Sequence, residues 1–281
     1  MEKIINVISN IFYENDIECR DEYSKRTISS EDDYTSVFCK LNRDTFKKWS
    51  YRFINRKFNK SEESRFGADF IIVFRIYSGC KICFVEAKGP RIKTSPNYNW
   101  DKIGINGNSH FSDQLLRQAK WSKMAAIWEM FYNDALPGAP DPTLDLSGSD
   151  CVWHQIAFEY CQANGYLKKS WNNRSLLNLL NIRNKVIHRH DDLYGKNIRD
   201  MIYKILKCSK GSLISFTDPE DFIVIESNEG DLTAKIPVPN LTNINQGKLL
   251  ENLDAFMTGY NLKDYLFFDV RNLVDTNNNS A

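Results

Sequence analysis

Two carboxylates and a lysine lie at the ends of two apolar segments of the sequence. Asp69 directly precedes the run Phe70–Ile76, and Glu86 and Lys88 follow the shorter run Ile82–Val85. Charged groups beside apolar segments are costly to desolvate unless they are paired or bind a ligand. Carboxylate oxygens are the ligands that Mg²⁺ prefers, and a lysine can orient a water or stabilise charge developing on a phosphate. These residues suit metal-assisted phosphodiester hydrolysis, and they also suit a structural salt bridge.

The two apolar segments are predicted to form a β-hairpin. Their apolar, β-branched and aromatic residues are typical of strands buried on both faces, and residues 77–81 supply a turn. In an antiparallel hairpin, Asp69 and Glu86 approach each other at one edge of the sheet. Alternation places Glu86 and Lys88 on one face, with Ala87 turned away. We expect this edge to be exposed, where a salt bridge contributes about 1 kcal/mol or less to stability.

The hairpin residues resemble a known nuclease superfamily. Gly-Ala-Asp ending at Asp69, a buried strand, a turn and apolar-Glu-Ala-Lys ending at Lys88 are similar to the PD-(D/E)XK nucleases, which have the restriction-endonuclease-like fold. The resemblance covers approximately residues 25–135. It implies that Asp69 and Glu86 bind Mg²⁺ or Mn²⁺ and that Lys88 assists the attacking water. Ala68 replaces the proline of the family name, a departure that leaves the metal ligand in place.

The resemblance also implies supporting residues on the neighbouring helices. The helix before the hairpin often lends one more acid to the metal, and Glu31 is the candidate, with Asp32 behind it; capping acids that face solvent are the alternative. A glutamine on the helix after the lysine strand often lies near the metal or the phosphate. Gln118 matches this catalytic position and Gln114, on the same helical face, is a candidate contact to nucleic acid. Surface glutamines without a role are the alternative.

Positive charge is concentrated directly before the hairpin, although the net charge is only +1. Residues 40–60 carry eight basic residues against one acid, Asp44, and aromatic residues are interleaved with them. This composition suits phosphate contacts combined with base stacking. We therefore predict that Arg52, Arg56 and Lys57 contact nucleic acid. The alternative is an aromatic core with a solvated basic rim.

Hydrophobic periodicity predicts the remaining elements. We expect helices at 3–13, from a capping Ser30 through Leu41, and at 113–131, 175–206 and 249–256, a hairpin at 222–238, and a core element of undecided type at 151–161. The polar loop 91–107 can lie over a bound nucleic-acid strand, which makes Arg91 a further candidate contact.

These elements predict an α/β (α+β) fold with a mixed central β-sheet flanked by helices. The fold comprises a restriction-endonuclease-like core and a C-terminal portion of mixed character. The proline-rich stretch 136–148 is the best candidate boundary. It divides the chain into a nuclease core at 1–140 and an α+β portion at 141–281, which is either separate or packed as part of the same domain.

Several other classes of protein are not expected. The chain has no run of about 18 apolar residues that would cross a membrane, and its first residues are unlike a secretory signal. The seven scattered cysteines are typical of reduced thiols, and the lone pair Cys80 and Cys83 has no second pair at zinc spacing. We therefore expect a cytoplasmic protein without membrane contact.

The expected function is a Mg²⁺-dependent nuclease that acts on DNA in preference to RNA. Fold-level analogy suggests restriction or anti-phage defence, as a homo-oligomer or beside a partner defence protein. One alternative is a metal-free RNase, because Arg183 and His188 resemble the motif of HEPN ribonucleases and a histidine suits acid–base work at neutral pH. Another is an inactive nuclease-like scaffold that binds nucleic acid or protein.

Overall fold

A six-stranded mixed β-sheet forms the centre of the fold, and the predicted hairpin lies in its middle. The structure is a computed structural model that describes residues 2–25, 27–48, 52–57, 65–76, 79–90, 99–132, 148–187, 195–215, 222–238 and 246–271. For residues 24, 52–57, 185–187 and 246–250 it describes the backbone alone. Helices flank the sheet, so the predicted α+β class is confirmed.

The described residues form eight strands, seven α-helices and one short 3₁₀ helix. The strands are β1 (Arg52–Lys57), β2 (Phe70–Ile76), β3 (Gly79–Lys88), β4 (Ala126–Phe131), β5 (Asp150–Trp153), β6 (Phe222–Glu226), β7 (Thr233–Pro237) and β8 (Asp264–Asp269). The helices are α1 (Glu2–Ser24), α2 (Glu31–Lys48), α3 (His110–Ala119), α4 (His154–Ala163), α5 (Asn173–Ile187), α6 (Ile198–Leu206) and α7 (Gln246–Tyr260). The 3₁₀ helix covers Tyr166–Lys168.

The central sheet has the strand order β1-β8-β2-β3-β4-β5, and β6 and β7 form a separate two-stranded sheet. The pairs β2–β3, β1–β8 and β4–β5 are antiparallel, whereas β2–β8 and β3–β4 are parallel. The sheet therefore takes strands from both sides of the expected boundary at residue 140. The boundary stretch itself, residues 133–147, lies outside the described residues.

Both faces of β2 and β3 are covered, as their continuous apolar sequences predict. On one face Phe70 and Phe74 pack with aromatic rings of α1 and α2, among them Phe12 and Phe38. The other face packs against α7 and the β6–β7 hairpin. Burial of one large apolar side chain contributes about 1.5–3 kcal/mol. The hairpin that carries the charged residues is therefore buried on both faces, apart from the partly exposed end of β2 at Arg75 and Ile76.

The predicted helix at 113–131 is wrong beyond Ala119. Helix α3 ends there, a turn follows, and residues 126–131 form the central strand β4. All six residues of β4 are buried. A short apolar run that is covered on both sides does not alternate, so periodicity alone does not separate it from a helix. The undecided element at 151–161 is a strand end followed by α4, and the helix predicted at 175–206 comprises α5 and α6.

Other sequence predictions are confirmed. Helix α1 covers the predicted segment 3–13, and α7 covers 249–256. Ser30 caps α2, since its hydroxyl oxygen accepts a hydrogen bond of 3.1 Å from the backbone N–H of Asp33. Strands β6 and β7 form the expected antiparallel hairpin. Within the part of the chain that the structure describes, no helix has the length and apolar character to span a bilayer.

Candidate metal centre

Asp69 and Glu86 lie at the same end of the β2–β3 hairpin, as predicted. Phe70 pairs with Val85, the backbone N–H of Asp69 donates to the Val85 carbonyl at 2.9 Å, and Asp69 Oδ2 accepts from the Ala87 N–H at 3.0 Å. The expectation of an exposed edge is wrong, because Asp69 is 1% exposed and Glu86 is 0% exposed. The α3 helix and the segment before β8 cover this end of the hairpin.

Gly67 fixes the turn that leads into Asp69. Its φ is +71°, in the left-handed region, and a Cβ at this position would lie 2.5 Å from the Gln114 carbonyl oxygen. The Gly67 carbonyl accepts a hydrogen bond of 2.7 Å from Gln118 Nε2. The glycine of the Gly-Ala-Asp motif is therefore needed for close packing of the turn against α3.

Glu31 supplies a third carboxylate from the first turn of α2. Its Oε2 accepts a hydrogen bond of 2.9 Å from the Gly89 N–H, directly after β3. One ligand atom from each of Glu31, Asp69 and Glu86 lies within 4.8 Å of the others. Three hard oxygen donors at this separation fit a divalent cation such as Mg²⁺ or Mn²⁺. We call Glu31, Asp69 and Glu86 the carboxylate triad.

Lys88 lies against the triad. Its Nζ is 2.5 Å from Glu86 Oε1 and 3.9 Å from Glu31 Oε1, and its side chain is 6% exposed. Burial by itself lowers the pKa of Lys88, but the carboxylates of Glu31, Glu86 and Asp69 outweigh burial and raise the pKa above its ordinary value. The ammonium group is therefore charged at neutral pH.

Lys263 is a second lysine at the triad, and the sequence did not single it out. Its Nζ is 3.0 Å from Asp69 Oδ1 and also pairs with Asp32, while its backbone N–H donates to the Asp69 carbonyl at 3.0 Å. Burial by itself lowers the pKa of Lys263. The Asp69 carboxylate and the hydrogen bond to Asp32 outweigh burial and raise the pKa above its ordinary value. Only the pairing of β8 with β2 brings this residue to the hairpin, and no local pattern signals that pairing.

The two predicted glutamines both lie in the buried interface of α3. Gln114 Nε2 donates to Glu86 Oε1 at 2.5 Å, so Gln114 contacts the triad. Gln118 Nε2 lies 3.3 Å from Glu129 Oε2, and Gln118 Oε1 lies 2.8 Å from His154 Nδ1. The structure thus places Gln114, predicted to contact nucleic acid, nearest to the candidate metal ligands. Glu129 and His154 were not predicted, because their segment was expected to be helical or was undecided.

The predicted nucleic-acid contacts fall largely outside the described side chains. Arg52, Arg56 and Lys57 lie on β1, whose backbone alone is described. Arg91 lies in 91–98, outside the described residues. Their contact with nucleic acid stays a prediction.

Arg183, the candidate residue of the metal-free RNase alternative, is buried and forms an ion pair with Asp150. Its Nη1 donates to Asp150 Oδ1 at 2.9 Å and to the Cys151 carbonyl at 3.0 Å, which ties α5 to β5. His188 lies outside the described residues.

Cys80 and Cys83 point to opposite sides of β3. Cys80 packs in the apolar cluster that contains Ile82 and Phe84, and Cys83 packs in the cluster that contains Val85. Positions three apart on a strand face opposite ways, so these two thiols do not share a metal ion.

Comparisons with known proteins identify no relative. No protein-family model matches the chain, and searches of curated proteins and of solved structures give no significant match. The resemblance to the PD-(D/E)XK nucleases therefore depends on the hairpin residues themselves.

Proposed function

We propose that this chain is a nuclease that hydrolyses phosphodiester bonds, preferably in DNA, with a bound divalent cation. The observation that carries the proposal is the convergence of the carboxylate triad, with Lys88 hydrogen-bonded to one of its members. Nucleic acid is the proposed partner, and Mg²⁺ or Mn²⁺ is the proposed cofactor. The hairpin supplies Asp69, Glu86 and Lys88, and α2 supplies Glu31.

The charges at the triad favour a metal site over a simple salt bridge. A structural ion pair needs one carboxylate for each lysine, whereas three carboxylates converge here beside Lys88 and Lys263. Like charges at this distance destabilise one another unless a cation or a proton intervenes. A buried ion pair is itself weak evidence of stability, since desolvation offsets much of its Coulomb energy. A divalent cation removes the remaining repulsion.

Each residue has a distinct role in the proposed reaction. Glu31, Asp69 and Glu86 would hold the cation, which when bound supplies a Lewis acid and lowers the pKa of a water. Lys88 orients that water and stabilises negative charge that develops on the phosphate. Gln114 fixes Glu86 through the hydrogen bond to Oε1.

The metal-free RNase alternative receives less support. Arg183 is held by Asp150 and by backbone carbonyls, where its guanidinium is needed to neutralise a buried carboxylate. A scaffold without activity is the second alternative, and the experiment below distinguishes it by metal binding without cleavage.

The test compares the parent protein with Asp69→Asn on plasmid DNA and on RNA, in Mg²⁺, in Mn²⁺ and in EDTA. We expect metal-dependent cleavage by the parent, and weak metal binding with no cleavage by the variant, because an amide is a poor replacement for a carboxylate around Mg²⁺. Asp21→Asn is the matched control, since Asp21 is exposed and pairs with Lys25. Cleavage in EDTA, or an Asp69→Asn variant that cuts like the parent, would contradict the proposal.

A further inference from the structure

Backbone structure, not only a side-chain contact, fixes the position of Lys263. Asn261 has a φ of +54°, a left-handed conformation that ends α7, and the buried Leu262 follows it. Strand β8 then begins parallel to β2, with Asp264 opposite Phe70. Lys263 is thereby held opposite Asp69, to whose carbonyl its N–H donates.

The ammonium group of Lys263 contacts the carboxylate that the proposed metal would use. Nζ is 3.0 Å from Asp69 Oδ1, and the second oxygen of Asp69 accepts from the Ala87 N–H. The side chain of Lys263 is 12% exposed, whereas that of its other partner, Asp32, is 70% exposed. Solvent therefore screens the Asp32 contact, and the Asp69 contact is the stronger electrostatic interaction.

The two lysines contact different members of the carboxylate triad. Lys88 contacts Glu86 and Glu31, whereas Lys263 contacts Asp69. They lie in different parts of the chain: Lys88 ends the hairpin, and Lys263 directly precedes β8.

We propose that Lys263 is a positioning residue of the metal centre, an internal counter-ion of Asp69 that opposes the binding of a divalent cation. The inference rests on the proposed function, because it takes Asp69 as a metal ligand. In the metal-free protein, Lys263 neutralises Asp69 and holds its carboxylate. A divalent cation at the triad would interact with the same carboxylate of Asp69. The metal and the Lys263 ammonium group therefore weaken each other's interaction with Asp69, and this coupling is reciprocal.

Calorimetric titration with Mn²⁺ tests the inference without any measurement of activity. Lys263→Met should bind Mn²⁺ more tightly by roughly tenfold, within the usual range of coupling between sites. Its midpoint of thermal unfolding should fall in EDTA and recover more than that of the parent when Mn²⁺ is added, because the metal replaces the missing charge. Lys263→Arg keeps the charge and should keep an affinity close to that of the parent.

Controls separate this inference from the proposed function. A lysine with a purely structural role would leave the affinity unchanged or lower it when removed, and either result in a folded Lys263→Met variant overturns the inference alone. Lys25→Met, which removes a surface partner of Asp21, should change nothing. If Lys263→Met does not fold, Lys263→Gln removes the charge while keeping a donor near Asp69. A parent protein that binds no Mn²⁺ overturns both proposals together.

Discussion

Glu86 and Glu129 are register partners on the adjacent parallel strands β3 and β4, and neither side chain is exposed. One face of α3 lies over both. Gln114 Nε2 is 2.5 Å from Glu86 Oε1, and Gln118 Nε2 is 3.3 Å from Glu129 Oε2. Each glutamine therefore donates to one of the two carboxylates, and of these two only Glu86 belongs to the carboxylate triad.

Removal of each glutamine should have a different effect. Gln114→Ala should weaken Mn²⁺ binding by about 10- to 100-fold, the usual effect of losing a residue that orients a metal ligand. Gln118→Ala should leave Mn²⁺ affinity unchanged and lower the free energy of unfolding by about 1–3 kcal/mol, because the Gly67 carbonyl and Glu129 lose a buried donor. Calorimetry and urea unfolding measure the two effects. The reverse pattern would favour the predicted catalytic role of Gln118 and a purely structural role for Gln114.

The sequence identifies the site where its residues are close in the chain. Asp69, Glu86 and Lys88 flank two apolar strands joined by a short turn, so local pattern is enough to bring them together. Glu31 is the acid that the resemblance implies on the helix before the hairpin, and the structure places it in the triad. Lys263 could not be predicted, since its position depends on parallel pairing between strands far apart in sequence.

Burial was harder to predict than secondary structure. The sequence predicts an exposed hairpin edge, since the segments that cover this edge are distant in sequence and no local pattern signals them. The sequence predicts the end of a helix where β4 lies, because the apolar residues of β4 continue the spacing of α3. Local pattern therefore predicts which residues of the hairpin come together better than it predicts which segments cover them.

Lys88→Ala should lower the stability of the metal-free protein and abolish turnover. Lys88 is a buried cation between two carboxylates, and breaking such a pair typically costs about 3–5 kcal/mol. Added Mg²⁺ should restore much of this loss, because the ion supplies the missing positive charge. Lys25→Ala, at an exposed pair, should leave stability close to that of the parent. Thermal unfolding with and without Mg²⁺, beside a plasmid-nicking assay, measures both effects. A stable Lys88→Ala protein that still cuts would remove Lys88 from the mechanism.

Arg183→Ala should act on stability and not on chemistry. It leaves Asp150 buried without its guanidinium partner, so we expect a loss of about 3–5 kcal/mol in the free energy of unfolding. In a double-mutant cycle, Asp150→Ala should cost less in the Arg183→Ala background than in the parent. His188→Ala should retain nuclease activity. Loss of EDTA-resistant RNA cleavage in a folded His188→Ala protein would instead favour the metal-free RNase.

The backbone of β1 runs from the far end of the sheet toward the end at which the triad lies. Arg52 pairs with Asp269 at the far end, whereas Lys57 pairs with Asp264, the residue after Lys263. A phosphate chain that reaches the triad would pass nearer to Lys57 than to Arg52. Among the basic residues of β1, Lys57 therefore has the backbone position nearest to the triad and Arg52 the farthest.

Replacing Arg52, Arg56 and Lys57 together by Ala should weaken DNA binding across all sequences alike. Each phosphate contact contributes about 0.9 to the slope of log K against log salt for duplex DNA and about 0.7 for single strands, so the triple variant should have a slope shallower by about 2–3. Among single changes, Lys57→Ala should weaken binding more than Arg52→Ala does. Binding is measured in EDTA, where no cleavage is expected. The control replaces the exposed Lys168, Lys169 and Arg174, which carry the same charge away from β1. If the β1 variant keeps the full salt slope, or if the control loses as much, β1 is not the surface that contacts phosphate.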